Sequence, residues 1–150
     1  MSYIFILLST LASADELIKT SSWQKIPKIE ICPDSSVTKE EIIDAMKYWN
    51  SNVDDKMKYT SIVYVDSCAF KKPRVIRVMD LKESKKLNDR SYAVTYYNHW
   101  WYNSNPNRHF IENVEVMIPN NHKSIDIIAH ELGHAYGYQH SNHSIMKPTF

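Results

Sequence analysis

Three histidines in the last part of the chain are spaced so that they can close around one metal ion. Residues 130–140 read His-Glu-Leu-Gly-His-Ala-Tyr-Gly-Tyr-Gln-His. Residues four apart share one face of a helix, so His130 and His134 would present both imidazoles to one point. Gly137 can adopt the left-handed conformation that ends a helix, and the turn would bring His140 round as a third ligand. Three protein ligands leave one position for water, which is the arrangement of a catalytic zinc site.

A carboxylate stands beside the predicted ligands. Glu131 is one position round the helix from His130, where it would take a proton from zinc-bound water instead of binding the metal. The chain has two glycines, Gly133 and Gly137, and both lie in this segment. Met146 follows His140 by six residues. Histidines alone at this spacing also occur on ordinary surface helices, but the whole pattern predicts a peptidase that uses one catalytic Zn²⁺.

The stretch 130–148 resembles the metzincin clan of zinc endopeptidases, whose signature joins the long zinc motif to a Met-turn. The resemblance implies that Glu131 is the general base and then the proton donor. It also implies that Gly137 is the turn glycine and that Met146 lies under the metal site. The implied zinc ligands are His130, His134 and His140.

The stretch 130–148 agrees with the metzincin signature at some positions and departs from it at others. Ser141, directly after the third histidine, is similar to the residue that matrixins place there. Astacins and serralysins carry a metal-binding tyrosine two residues after the methionine of the turn, and Pro148 occupies that position here. The clan usually continues into a C-terminal helix, whereas only four residues follow Met146. We therefore expect a minimal lower subdomain with a shallow or open pocket.

The order of predicted elements is consistent with an α+β fold in which a twisted, mostly parallel sheet packs on two helices. This resembles the upper half of the metzincins, so the resemblance implies a zincin-like fold. Thr38 with Glu41 forms a capping box for the first helix. Ser124 would cap the second, zinc-binding helix, with Asp126 in its first turn. Strands are predicted over 28–32, 59–65, 74–79, 91–97 and 113–118, and connections over 50–58, 82–89 and 98–107. The upper subdomain would extend to about residue 137 and the lower subdomain over 138–150.

The strand 91–97 is the candidate for substrate binding. In the resembling family an edge strand above the cleft pairs with the substrate backbone, which implies contacts at Ala93, Val94 and Thr95. An ordinary interior strand is the alternative. The aromatic cluster within 96–102 is either a loop over the cleft or part of the packing. Four further histidines are either surface residues or the ligands of a second zinc ion: His99, His109, His122 and His143.

Two features predict an oxidising compartment. An apolar run over 3–11 precedes Ala12-Ser13-Ala14, which is typical of a signal peptide at 1–14. A buried first strand is the alternative for this run. Cys32 and Cys68 would follow neighbouring parallel strands and form a disulfide, with two free buried thiols as the alternative. We therefore expect a single secreted catalytic domain at 15–150, extracellular or periplasmic.

Composition narrows the possible partners. The 150 residues carry a net charge of +1 without a long run of one sign, so no nucleic-acid partner and no membrane anchor after signal removal are expected. The predicted partner is a protein or peptide substrate, and the predicted state is a monomer. Two other functions stay open from the residues. One is a zinc-binding module without proteolysis, and the other is hydrolysis of cell-wall peptide cross-links.

Overall fold

A computed structural model of the protein describes residues 16–52, 55–82, 93–102 and 105–148. The strands are β1 (Ile18–Lys19), β2 (Ser21–Ser22), β3 (Lys28–Ile31), β4 (Ile62–Tyr64), β5 (Val75–Asp80), β6 (Val94–Tyr102), β7 (Asn105–Ile118) and β8 (Tyr138–Gln139). The helices are α1 (Lys39–Asn52) and α2 (Ile125–Ala135), with 3-10 helices at Asp55–Tyr59 and Ser144–Met146. Within these ranges, no helix has the length and apolar character needed to cross a membrane.

Six strands form one mostly parallel sheet. β3 pairs in parallel with β4 on one side and β5 on the other, β5 pairs with β7, and β7 pairs with β2. β6 runs antiparallel along the opposite side of β7. In the described part of the chain β6 pairs with β7 alone, so it is an edge strand. β1 and β8 form a separate antiparallel pair.

The two helices and the sheet enclose one apolar core. α1 begins with the predicted capping box: the Glu41 amide donates to the Thr38 hydroxyl, and the Thr38 amide donates to the Glu41 carboxylate. α2 begins at the predicted cap, where Ser124 accepts from the amide of Ile127. Trp49 on α1 donates its indole N–H to a carbonyl of α2 at 2.8 Å. The core includes Ile29, Ile31, Ile76, Val78, Val114 and Val116 from the sheet, and Ile42, Ala45, Trp49, Ile128 and Leu132 from the helices.

A buried ionic row crosses the sheet between neighbouring strands. The register aligns Glu30, Arg77 and Glu115, and Arg77 forms an ion pair with Glu115. Arg77 also donates to the carbonyl of Cys68 at 2.8 Å. Cys68 forms a disulfide with Cys32, with a Cα–Cα distance of 5.7 Å. The predicted disulfide is therefore present. It joins the loop after β4 to the sheet, together with the hydrogen bond from Arg77.

Several element boundaries differ from the prediction. The connection predicted at 98–107 is wrong, because β6 continues to Tyr102 and β7 begins at Asn105. Bulges between Asn98 and His99 and between Trp101 and Tyr102 let this polar, aromatic hairpin remain paired. The strand predicted over 59–65 is confined to Ile62–Tyr64, since residues 55–59 form a 3-10 helix. The short strands β1 and β2 were not predicted.

Some predictions fall on parts of the chain that the structure does not describe. The predicted signal peptide at 1–14 lies outside the described residues, as do residues 91 and 92 of the predicted substrate strand. Most of the connection predicted at 82–89 also lies outside them.

Candidate metal centre

The end of helix α2 and the turn after it bring the three histidines together. His130 and His134 lie four residues apart on α2, and the helix ends before Gly137, whose φ is +96°. A Cβ at this position would overlap the backbone carbonyl of Ser21, so both the conformation and the space require glycine. β8 then leads directly to His140.

The ring nitrogens of the three histidines converge. The Nε2 atom of His130 lies 3.1 Å from that of His134 and 3.2 Å from that of His140. The Nδ1 atom of His130 lies 2.6 Å from the carbonyl of Ile145, and that of His134 lies 2.8 Å from the carbonyl of Tyr138. A carbonyl can only accept, so both Nδ1 atoms donate, and in neutral rings both Nε2 atoms carry lone pairs. Lone pairs that face one another at this distance repel, and either a shared proton or a metal ion relieves the repulsion, so the group could hold a metal ion.

Burial keeps two of these histidines in the form that binds metals. The pKa of His134 is lowered to about 4, mainly by desolvation and also by the nearby His130 and His140 rings. Its hydrogen bond to the carbonyl of Tyr138 acts in the opposite direction. Desolvation also lowers the pKa of His130. Both imidazoles are therefore neutral at neutral pH, and neutral imidazole is the metal ligand.

The predicted general base is a buried carboxylate. Glu131 follows His130 on α2 and is 6% exposed. Burial raises its pKa to about 7, and a hydrogen bond from Thr95 opposes that rise. The Thr95 hydroxyl donates to Oε2 of Glu131 and lies 3.3 Å from its backbone carbonyl. A carboxyl group with a pKa near neutrality can both accept and release a proton at that pH.

A 3-10 turn supports the histidines from behind. Met146 is fully buried in the turn Ser144–Met146, and its backbone carbonyl accepts from Ser141 at 3.1 Å. A Cβ on Gly133 would lie 2.6 Å from Sδ of Met146 and 2.5 Å from the ring of Trp49. Gly133 therefore lets the turn approach the helix closely, which places the Ile145 carbonyl against His130.

The predicted substrate residues lie at the start of the edge strand. Val94 and Thr95 open β6, and Ala93 precedes it. Among the described residues β6 pairs with β7 alone, so it lies at an edge of the sheet there. Tyr97, on the same face as Thr95, accepts a hydrogen bond at 3.1 Å from Gln139, the residue before the third histidine. β6 therefore touches both the carboxylate and the ligand loop.

The other predicted histidines are dispersed. His99 lies 3.2 Å from the Ser21 hydroxyl, and its ring centroid lies 5.9 Å from that of His109. His143 lies near the hydroxyl of Tyr48 at 3.4 Å. Across the described ranges, His130, His134 and His140 form the single group of three or more side chains that could hold a metal ion. The second-zinc interpretation therefore has no complete ligand set among those residues.

The backbone of the aromatic cluster belongs to the hairpin β6–β7. The residues 98–102 form the second half of β6, so they are not a separate loop over the cleft. Tyr97 packs its ring 4.4 Å from that of His99, measured between centroids. The packing interpretation is therefore favoured where the side chains are described.

Sequence reasoning missed three contacts of the site. They are the Thr95 hydroxyl on the carboxylate and the two carbonyls, of Tyr138 and Ile145, that orient the ligand rings. The alternation of a strand places 93, 95 and 97 on one face, which was a usable signal for Thr95. The carbonyl partners had no signal in the sequence, since any residue type supplies a carbonyl.

Comparison with known proteins adds no further information about the site, which is therefore described by its geometry alone. Neither a scan of protein-family models nor a search of curated proteins finds a match for this chain. The structure shows three histidines that could bind a metal, two on the second helix and one beyond the turn that follows it, in an α+β fold with a mostly parallel sheet. This arrangement is compatible with a zincin-like fold.

Proposed function

We propose that the protein is a zinc-dependent endopeptidase of the metzincin type. The observation that carries the proposal is the convergence of three histidine nitrogens next to the buried carboxylate of Glu131. Zinc–nitrogen bonds of 2.0–2.1 Å in a tetrahedral site would hold two nitrogens about 3.3 Å apart. The separations of 3.1 and 3.2 Å fit that requirement. The donor set of three imidazoles is also one that zinc prefers in catalytic sites.

The residues divide the chemistry between them. A zinc ion held by the three histidines would supply a Lewis acid that polarises a peptide carbonyl and acidifies water. Glu131 would accept a proton from the attacking water and then donate it to the leaving amine. Burial raises the pKa of Glu131 to about 7 in the metal-free protein. A bound zinc ion would lower this pKa and favour the ionised form that a general base needs.

The open edge of β6 supports an extended peptide as the substrate. Main-chain amides and carbonyls of an edge strand can pair with a peptide and demand little of its sequence. Thr95 ties the beginning of this edge to the carboxylate, so a peptide paired there would pass next to Glu131. In the resembling family the peptide runs antiparallel to this strand, and we propose the same direction here.

Two further features support the finer assignment. Met146 is buried in a tight turn whose backbone reaches His130, as a Met-turn requires. The disulfide between Cys32 and Cys68 favours an oxidising compartment. We therefore propose a secreted enzyme with residues 1–14 as its signal peptide.

Hydrolysis of unfolded casein and of a peptide library tests the proposal. The full chain and the chain starting at Asp15 are compared with zinc, with a chelator and as Glu131→Ala, and the metal content is measured in each. Glu112→Ala, which removes an exposed carboxylate of β7, is the matched control. We expect about one zinc per chain throughout the zinc-loaded series, and a loss of at least about 100-fold in rate for Glu131→Ala alone.

The outcomes separate the competing functions. Zinc-loaded protein that cuts no unfolded protein or peptide would contradict the endopeptidase and favour a metal-binding module. Release of peptides from purified peptidoglycan without casein cleavage would favour the hydrolysis of cell-wall cross-links. Full activity in Glu131→Ala would show that the carboxylate is not the base.

A further inference from the structure

Thr95 occupies a special place between the edge strand and the catalytic helix. It is the second residue of β6 and pairs with Val116, which belongs to the apolar core shared with the helices, so its side chain is on the face toward the helices. Its hydroxyl donates to Oε2 of Glu131 and lies 3.3 Å from the Glu131 backbone carbonyl. The side chain of the strand therefore meets both the carboxylate and the backbone of the helical turn that carries it.

A general base needs a fixed direction as well as a suitable pKa. A glutamate side chain has three rotatable bonds, and loss of geometry by about 1 Å can cost roughly 100-fold in rate. A hydroxyl that binds one carboxylate oxygen limits this freedom and leaves the other oxygen for the reacting proton. Threonine is suited to the task because its branched Cβ restricts rotation about χ1.

We propose that Thr95 is a positioning residue for the catalytic base, an inference that rests on the proposed function. Its hydroxyl holds Oε2 of Glu131, so that Oε1 is directed at the attacking water. The same residue belongs by its main chain to the edge where the peptide would pair. One residue therefore sets the position of the base relative to the bound peptide.

A purely structural role for the hydroxyl makes different predictions. If Thr95 only satisfied a buried carboxylate, its loss would lower stability and leave the turnover of the folded enzyme unchanged. A positioning role requires a fall in kcat with little change in KM, because the peptide still pairs with the strand backbone. It also requires that serine, which retains the hydroxyl, restores turnover.

The variants Thr95→Val and Thr95→Ser test the proposal in the zinc-loaded chain. We expect Thr95→Val to lower kcat about 10- to 100-fold, with KM and zinc affinity within about twofold of wild type. Thr95→Ser should recover kcat to within about fivefold, the remaining loss reflecting its freer rotation. Thr38→Val is the control: it removes the hydroxyl that caps α1, lowers stability and leaves kcat unchanged.

A binding measurement gives a second readout that does not depend on turnover. Acetohydroxamate chelates zinc through two oxygens and offers a proton to an adjacent carboxylate, whereas azide binds the metal without a proton to share. We expect Thr95→Val to weaken acetohydroxamate about tenfold or more and to leave azide unchanged.

The two readouts distinguish the failure of each idea. A wild-type protein that binds zinc but cuts nothing would refute the peptidase, and the acetohydroxamate comparison would still decide whether Thr95 orients the carboxylate. Equal acetohydroxamate affinity in wild type and Thr95→Val would overturn the positioning role. Failure of Thr95→Ser to restore what Thr95→Val loses would overturn it too, because the hydroxyl would not be the acting group.

Discussion

The buried carboxylate of Glu131 should cost the metal-free protein stability at neutral pH, and Glu131→Gln should recover that cost. Burial raises the pKa of Glu131 from 4.5 to about 7, and the Thr95 hydroxyl offsets only part of the effect. Glutamine has nearly the same shape, carries no charge and can still accept the hydroxyl of Thr95 through its amide oxygen. The substitution therefore isolates the free energy of ionising this side chain in the folded protein.

Proton linkage gives the sign and the size of the stability difference between Glu131→Gln and wild type. Between pH 4.5 and about 7 the folded protein holds a proton on Glu131 that the unfolded chain has released. The favourable contribution is complete below pH 4.5 and is lost as the pH rises through about 7. The pKa rise, from 4.5 to about 7, multiplied by about 1.4 kcal/mol per pH unit, gives about 3 kcal/mol in favour of Glu131→Gln at pH 8.

His134 imposes the opposite dependence on the wild-type protein. Its pKa falls from 6.5 to about 4, so its contribution is complete above pH 6.5 and is lost as the pH falls through about 4. Between pH 4.5 and 6.5 the slope from Glu131 opposes the slope from His134, and the lowered pKa of buried His130 acts in the same direction as that of His134. Glu131→Gln removes one slope, so the stability of the variant should rise with pH across the same window.

Urea unfolding of the chelator-treated proteins at pH 5, 6 and 8 measures this effect. The stability difference between Glu131→Gln and wild type should grow from under about 1 kcal/mol at pH 5 to about 3 kcal/mol at pH 8. Glu112→Gln, at an exposed position on β7, should leave the pH dependence as in wild type. A difference that stays constant with pH would refute the reasoning, because it would show that glutamine acts through packing and not through charge.

Three other variants test the packing, the disulfide and the third candidate ligand. Gly133→Ala should destabilise the protein by about 1–3 kcal/mol in urea unfolding, because the new Cβ would lie 2.5 Å from the ring of Trp49. Replacing Cys32 and Cys68 by serine should cost about 3–4 kcal/mol, measured in the same way, since the bridge spans 36 positions. His140→Ala should weaken zinc binding at least about tenfold in competition with a chelator, since two imidazoles remain.

The ligand helix was predictable because its information is local. The cap at Ser124, the spacing of His130 and His134, and the glycine at 137 all act within a few residues of one another. The register of 3.6 residues per turn places side chains without any knowledge of the rest of the fold. The parallel pairing of the strands before Cys32 and Cys68 was also predictable, since apolar runs marked both strands.

The hairpin β6–β7 was not predictable to the same extent. Its polar and aromatic residues between 98 and 107 lack a regular alternation, because bulges shift the register twice. Pairing of this kind is decided by the partner strand and not by the segment itself. The strands β1 and β2 are each two residues long, which is too short to show the alternation that predicts a strand.

The contact between Thr95 and Glu131 shows why the sequence predicted only part of the candidate site. The two residues lie 36 positions apart, and their contact depends on how the edge strand docks on the helix. The sequence predicted that the main chain of Thr95 contacts the substrate. It predicted no role for the Thr95 side chain. To predict a side-chain partner across a tertiary interface, the fold must be known. The spacing of candidate ligands within one helix can be predicted without it.

The placement of the two glycines explains how a short chain builds a rigid site. Gly133 admits the turn that carries Met146, and Gly137 admits the backbone of Ser21. The amide of Thr20 also donates to the carbonyl of Gly137 at 3.0 Å, and β1 continues the pairing along β8 toward His140. Segments from both ends of the described chain therefore meet the end of α2, where a larger residue would keep them apart. Side chains held in place before a metal arrives lose less entropy on binding, so this close packing would favour the affinity of the proposed metal site. The same packing leaves little room for larger residues at these two positions.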